Sequence, residues 1–188
     1  MLFRSRQAFE PAPLEGKAAA ADEALDASAM DEAIGSEFHL NQISAIGQRL
    51  YIAAESGRLF RSDDAGETWI TLPSPYDGSF FGVLPLDEHT VLAFGLRGRL
   101  YRSEDAGKTW MQIPSSTVAM LTDGTRRAAS GTVVLVGLSG TVLVSRDGGR
   151  TFELMQQPDR KGAWAVIRAS GGVVVAGEGG VRRVELAP

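Results

Sequence analysis

Three aspartates recur in near-identical surroundings: Asp64 in SDDAGETW (62–69), Asp105 in SEDAGKTW (103–110) and Asp147 in SRDGGRTF (145–152). A carboxylate beside a glycine suits two kinds of chemistry. It can ligate a hard cation in an oxygen-rich loop, or it can accept backbone amides and close a turn. The cation reading fails on spacing, because oxygen donors do not alternate and no distal glutamate follows. The second box position also runs Asp63, Glu104, Arg146, and arginine is a poor neighbour for a metal. The turn reading uses every letter. Asp64, Asp105 and Asp147 are placed to accept amides two residues on, while Gly66, Gly107 and Gly149 permit a backbone that other residues resist. Ser62, Ser103 and Ser145, with Thr68, Thr109 and Thr151, supply hydroxyls for the remaining turn groups. Trp69, Trp110 and Phe152 each offer a large ring to bury between sheets. The box is therefore expected to be structural, with no metal and no catalytic residue in it.

Other reactive sets are missing. The chain has no H-E-x-x-H, no G-x-S-x-G and no G-x-x-x-x-G-K-[ST], and it holds no cysteine. Its two histidines, His39 and His89, lack ligand-like spacing. No cofactor is expected. The net charge is −4, but residues 15–37 hold seven acidic residues against one lysine, so the remainder is about +2. That is no footprint for nucleic acid. No apolar run is long enough to span a bilayer. MLFRSRQAFEPAP lacks the apolar stretch of a signal peptide. On that reading the chain is cytoplasmic.

The elements that position the boxes follow from a repeat. Ser62 to Ser103 is 41 residues and Ser103 to Ser145 is 42. Each unit has an apolar run, a glycine (Gly57, Gly98, Gly140), four more residues and then the box serine. A fourth copy, VVVAGEGGVRRVELAP, keeps the strands and has lost the box. Runs of Val, Leu, Ile, Phe and Tyr between turn residues predict four short antiparallel strands per unit, in the second unit roughly 79–86, 90–95, 99–103 and 110–113. Four strands in about 40 residues, repeated, is the pattern of an all-β propeller blade. About four blades are expected, at 38–73, 79–113, 117–155 and 164–186, within a propeller domain 38–188. Residues 14–37 are acidic, alanine-rich and proline-free, and predict a helical insertion with a thin apolar stripe. Residues 1–13 read as a degraded blade remnant or a closing strand.

The box matches S-x-D-x-G-x-T-W, the Asp-box of the bacterial neuraminidase repeat. The longer pattern is carried by RLYIAAESGRLFRSDDAGETW, SPYDGSFFGVL, VLAFGLRGRLYRSEDAGKTW and VVLVGLSGTVLVSRDGGRTF, over roughly 37–186. It resembles the propeller family of the photosystem II assembly and stability factor and its proteobacterial relatives. The resemblance implies a non-catalytic scaffold that binds a protein partner, a membrane-protein complex during its assembly. It also implies export and seven blades. This chain departs from the pattern with about four units and no export signal, so it reads either as a shortened relative or as the C-terminal part of a longer propeller. A shortened copy of an exported member would be periplasmic or lumenal.

Asp-boxes also occur in sialidases, which leaves a glycan-binding or sialidase-like propeller fragment as the alternative. The arginine signature of those enzymes near the start is absent. In a blade the box turn lies on one face of the disc and ligand sites generally use the other. Binding candidates on that other face are His39, Asn41, Tyr76, Asp77, Phe80, Arg97 and Trp164. Open blade edges are expected to favour self-association.

Overall fold

The computed structural model describes the backbone of residues 25–26 and residues 38–127 and 129–186. Four antiparallel sheets follow one another along the chain. The first holds β1 (Leu25–Asp26), β2 (Leu40–Ile46), β3 (Arg49–Ala54), β4 (Leu59–Ser62) and β5 (Thr68–Thr71), in the order β1-β5-β4-β3-β2. The second holds β6 (Phe80–Pro85), β7 (Val91–Gly95), β8 (Leu100–Ser103) and β9 (Met111–Gln112). The third holds β10 (Leu121–Arg127), β11 (Thr132–Gly137), β12 (Thr141–Ser145) and β13 (Glu153–Gln156). The fourth has three strands, β14 (Ala163–Ala169), β15 (Gly172–Gly177) and β16 (Gly180–Glu185). The innermost strands pack in series, β2 on β6, β6 on β10 and β10 on β14. This is a β-propeller arrangement of four blades.

Stacking explains the strand sequences. In β7 (VLAFG) and β12 (TVLVS) every residue is buried, because a neighbouring blade covers each face. Strands covered on both faces need no polar alternation. Blade one meets blade two through Tyr51, Ala53 and Leu59 against Phe80, Val83 and Tyr101. Blade two meets blade three through Leu92, Phe94 and Leu100 against Leu121, Val133 and Leu135. Val134, Val136 and Val142 then meet Val166, Val173 and Val175 of blade four.

The boxes close the outer hairpins as predicted, with one correction. In the first, Ser62 Oγ donates to Asp64 Oδ1 (2.7 Å) and accepts from the Gly66 amide (2.9 Å). Asp64 then accepts the Thr68 amide (2.9 Å) and hydroxyl (2.6 Å). Asp105 and Asp147 hold Thr109 and Thr151 in the same way. The aspartate thus reaches four residues on, not two, because Ala65 and Gly66 at positive φ coil the loop back over it. Each box also rests on the first hairpin of its blade: the amides of Ala65, Ala106 and Gly148 donate to the carbonyls of Gln48, His89 and Gly131.

The helix expected over 14–37 is corrected where it can be seen. Leu25 and Asp26 are extended and pair with Trp69 and Thr68 on the outer edge of β5. An open strand edge offers unpaired amides and carbonyls, which override a modest helical propensity. The rest of that segment, and the closing strand expected within 1–13, lie outside the described residues.

Gly98 shows how tightly the inner turns fit. It has φ +66°, and a Cβ there would overlap the Thr117 carbonyl. Gly98→Ala is expected to lower stability by about 1–3 kcal/mol, the cost of a strained backbone position. A thermal melt checks it, and an unchanged midpoint would refute the assignment.

Candidate functional site

Of the seven residues expected on the non-box face, Asn41, Phe80 and Trp164 lie at the starts of inner strands, His39 just before β2, Tyr76 and Asp77 between β5 and β6, and Arg97 between β7 and β8; several are committed to structure. Asn41 Nδ2 donates to the Phe80 carbonyl (2.8 Å), and Phe80 is fully buried. Tyr76 stacks on Tyr101 (centroids 6.0 Å from Phe80, 6.3 Å from Tyr101), with the Arg99 guanidinium 5.6 Å from its ring. His39 Nδ1 lies 3.0 Å from Glu55 Oε2, and that hydrogen bond holds the Glu55 carboxyl below its ordinary value. Asp77 and Arg97 are exposed, and Arg97 takes a left-handed backbone (φ 56°) in a single 3-10 turn. Trp164 is half exposed on β14. These side chains do not converge on one cavity.

A convergent set lies on the opposite, box-bearing side. A cleft of about 330 Å³ between blades two and three is lined by Arg102, Arg126, Arg127 and Arg150, with Asp87 and Thr90. Arg127 also borders a neighbouring hollow that carries Arg168 and Ser170. Four guanidinium groups against one carboxylate make its wall strongly positive, and Glu104 sits at the rim beside Arg102 and Arg150.

Each group has a local cause. Arg102 is the last residue before the second box serine, and its side chain points into the junction between blades. It is 4% exposed. Its Nη1 donates to Glu104 (2.8 Å), while its buried Nε has no partner. Burial pushes this guanidinium below its usual value, and Arg150 adds to that; Glu104, Asp87 and Asp147 oppose it. Arg150 is held by the third box, donating its amide to Asp147 Oδ1 (3.1 Å) and Nη1 to the Asp147 carbonyl (3.0 Å). Arg126 and Arg127 end β10, where the chain turns back, and Arg127 Nη2 donates to the Ala169 carbonyl of blade four (2.9 Å).

The junction between blades one and two shows the same design in closed form. Arg61, the counterpart of Arg102, donates Nη1 to the Ala106 carbonyl (2.8 Å) and both Nε and Nη2 to Asp63. Asp63 also receives Arg49, so both guanidinium groups there are held on one carboxylate. At the next junction Glu104 takes one nitrogen of Arg102, and three more arginines stand nearby. Such a cleft can bind carboxylates by charge-assisted, paired hydrogen bonds. Sequence reasoning missed it because it set the box side of the disc aside. The available signal was the Arg126–Arg127 pair in a hairpin turn, one blade after an arginine on a buried strand.

Among the described residues no group of three or more His, Cys, Asp or Glu is arranged to hold a metal. No helix among them is long and apolar enough to cross a membrane.

Comparison with known proteins adds the following. The family model described as photosynthesis system II assembly factor YCF48 matches residues 21–136. A solved structure of YCF48 bound to a D1 peptide aligns over 80% of this chain and 54% of its own, at 17% identity and a TM-score of 0.54. YCF48 from Cyanidioschyzon merolae aligns over 80% and 52%, at 16% identity and 0.58. An ancestral GH74 enzyme aligns over 77% and 22%, at 15% identity and 0.64. At these identities the structures show the fold alone. The chain spans about half the length of the two YCF48 structures. No curated protein sequence matches it.

Proposed function

The chain belongs to the family of the photosynthesis system II assembly factor YCF48, and from that premise we propose that it is a non-catalytic, protein-binding propeller. Its partner is captured through an acidic or carboxylate-bearing segment that enters the cleft of Arg102, Arg126, Arg127 and Arg150. The observation that carries this reading is the cluster of four arginines in a preformed cleft, where the sister junction engages its two arginines on Asp63 and a backbone carbonyl. The peptide held by the related propeller supports a polypeptide ligand. A subunit of a membrane complex under assembly fits such a partner.

The reading is tested by fluorescence anisotropy with a short labelled peptide rich in Asp and Glu, beside a neutral peptide of equal length. Arg126→Glu combined with Arg127→Glu is expected to weaken binding at least about tenfold, equivalent to about 1.4 kcal/mol. Raising ionic strength until the Debye length falls from about 10 Å to about 3 Å should weaken it as well. Arg97→Glu, on the other face, should leave binding unchanged. Binding that ignores the first pair and is lost with Arg97→Glu would move the site to the non-box face.

A further inference from the structure

Every junction in the arc joins two fixed surfaces: the face that one blade turns toward its successor, and the face the successor turns back. Among the described residues three such junctions are filled, and each surface also occurs once unfilled. On blade four the forward face is formed by Ala165, Ile167, Val174, Ala176 and Val181, which pair directly across β14, β15 and β16, with Arg183 beside Val174 on the outer strand. Ile167 is 64% and Val181 77% exposed, whereas Val142, the counterpart of Val181 on blade three, is 2% exposed. On blade one the backward face carries Leu40 and Ile43 on β2, 47% and 59% exposed, beside a hollow that Asn41, Gln42 and Ile52 also line. Further out on that face Ile52, Ala54, Phe60 and Trp69 are already buried, so its open part is the inner strand. Ile43 and Ile167 are both too exposed to be covering one another within one chain.

A second pattern runs along the inner strands. Each has a bulge at the same place, at Asn41, Phe81, Thr122 and Trp164. The bulged residue and its successor therefore read Asn-Gln, Phe-Gly, Thr-Asp and Trp-Ala from blade one to blade four. Blades one and three use the polar pair as a clasp on the next blade. Asn41 Nδ2 donates to the Phe80 carbonyl and Thr122 Oγ1 to the Ala163 carbonyl (2.8 and 2.6 Å). Gln42 accepts the Val83 amide and Asp123 the Val166 amide (2.8 and 2.7 Å). Blades two and four carry an aromatic and a small residue instead. Gln42 then reaches past Gly82 to donate to Asp123 (2.8 Å). The arc alternates clasp and aromatic with a two-blade period. After Trp-Ala the pattern calls for a clasp blade, and blade one is one.

We propose that a second copy of this chain closes the ring, the forward face of blade four in each copy seating against the inner strand of blade one in the other. The two contacts are identical and related by a two-fold axis, so the assembly is closed and alternation continues unbroken through eight blades. Closed symmetric assemblies leave no sticky surface to recruit further copies. The central contact pairs Ile167 with Leu40 and Ile43, an apolar junction of the kind that already joins blades two and three.

The absence of cysteine from the chain makes a direct test available. Ile43→Cys and Ile167→Cys in one chain, oxidised at low protein concentration, are expected to give a single covalent species of twice the 20.0 kDa chain mass. A fast-migrating monomer would mean closure within one chain, and a ladder of larger species would mean open head-to-tail growth. Either result overturns the proposal, as does an absence of cross-linking. Sedimentation of the unmodified chain should give the dimer mass. Ile167→Glu, at a position already exposed in the single chain, should give the monomer with unchanged circular dichroism. A strict monomer in the unmodified chain also overturns it.

Discussion

Replacing Phe94 with alanine is expected to cost about 3–5 kcal/mol, the usual price of deleting a buried aromatic ring. Phe94 is fully buried among Leu92, Leu100, Leu121 and Leu135, where blades two and three meet. Its ring fills the space that Gly82 leaves on β6, so that a Cβ at Gly82 would overlap it, and it lies next to Gly124 on β10. No smaller side chain reaches both inner strands, and a rigid strand pair on each side limits collapse of the cavity. Domains of this size have a total stability of about 5–15 kcal/mol, so the variant should lose much of it. Urea unfolding measures this as a lower midpoint at unchanged slope. A loss below about 1 kcal/mol would show that the junction is not load-sharing at this point. Phe94→Leu should fall well short of the alanine variant, because most of the buried volume is kept.

The second large effect concerns the boxes and acid. Hydrogen bonds from the Thr68 hydroxyl, the Thr68 amide and the Ser62 hydroxyl lower the Asp64 carboxyl to about 2. At Asp105 and Asp147 burial pushes upward, but the Thr109 or Thr151 hydroxyl and amide and the box serine outweigh it, leaving both carboxyls below their ordinary value. Carboxyls lowered by folding stabilise the ionised protein. Their contribution is fully present above the unfolded value, about 3.9, and is lost as pH falls through the folded values. Thermal stability should therefore hold down to about pH 4 and drop steeply toward about pH 2. Asp105→Ala should cost about 1–3 kcal/mol at neutral pH, since the carboxylate loses bonds from the buried Ser103 hydroxyl and from the Thr109 amide and hydroxyl. A variant with all three aspartates changed to alanine should be the least stable, and its remaining acid dependence should be much shallower. A triple variant that keeps the wild-type acid profile would disprove the assignment. Asp147→Ala carries a further consequence, because the Asp147 carboxylate holds the Arg150 amide and with it the turn that presents Arg150 to the basic cleft. It should weaken peptide binding while the protein remains folded.

The box therefore has two roles that differ in how readily they can be read from sequence. Its hydrogen-bonding purpose is legible from letter types alone, since Ser, Asp, Gly and Thr at those spacings suit a closed turn. Its place beside a binding cleft is not, because that depends on which blade follows. Arg61 and Arg102 occupy the same position in successive repeats, yet Arg61 is neutralised by Asp63 and Arg102 stands in an open, positive cleft. The difference comes from residues 24 and 25 positions further on, Arg126 and Arg127, brought alongside by the next blade. Likewise Tyr76 and Phe80 look like surface recognition residues in PSPYDGSFF, but packing against Tyr101 draws them into the core.

Local chemistry and periodicity were enough to determine the strand-turn repeat, the glycine turns, the boxes and the absence of a box from the last blade, because each depends on residues within one hairpin. The helix expected before Leu40 shows where that reach ends: at Leu25 and Asp26 the edge of β5 supplies hydrogen bonds that propensity cannot foresee. Contacts between repeats decided the remainder. The arginine cleft joins residues 24 or more positions apart and the clasps residues about 40 apart, and only the stacking of one blade on another brings them together.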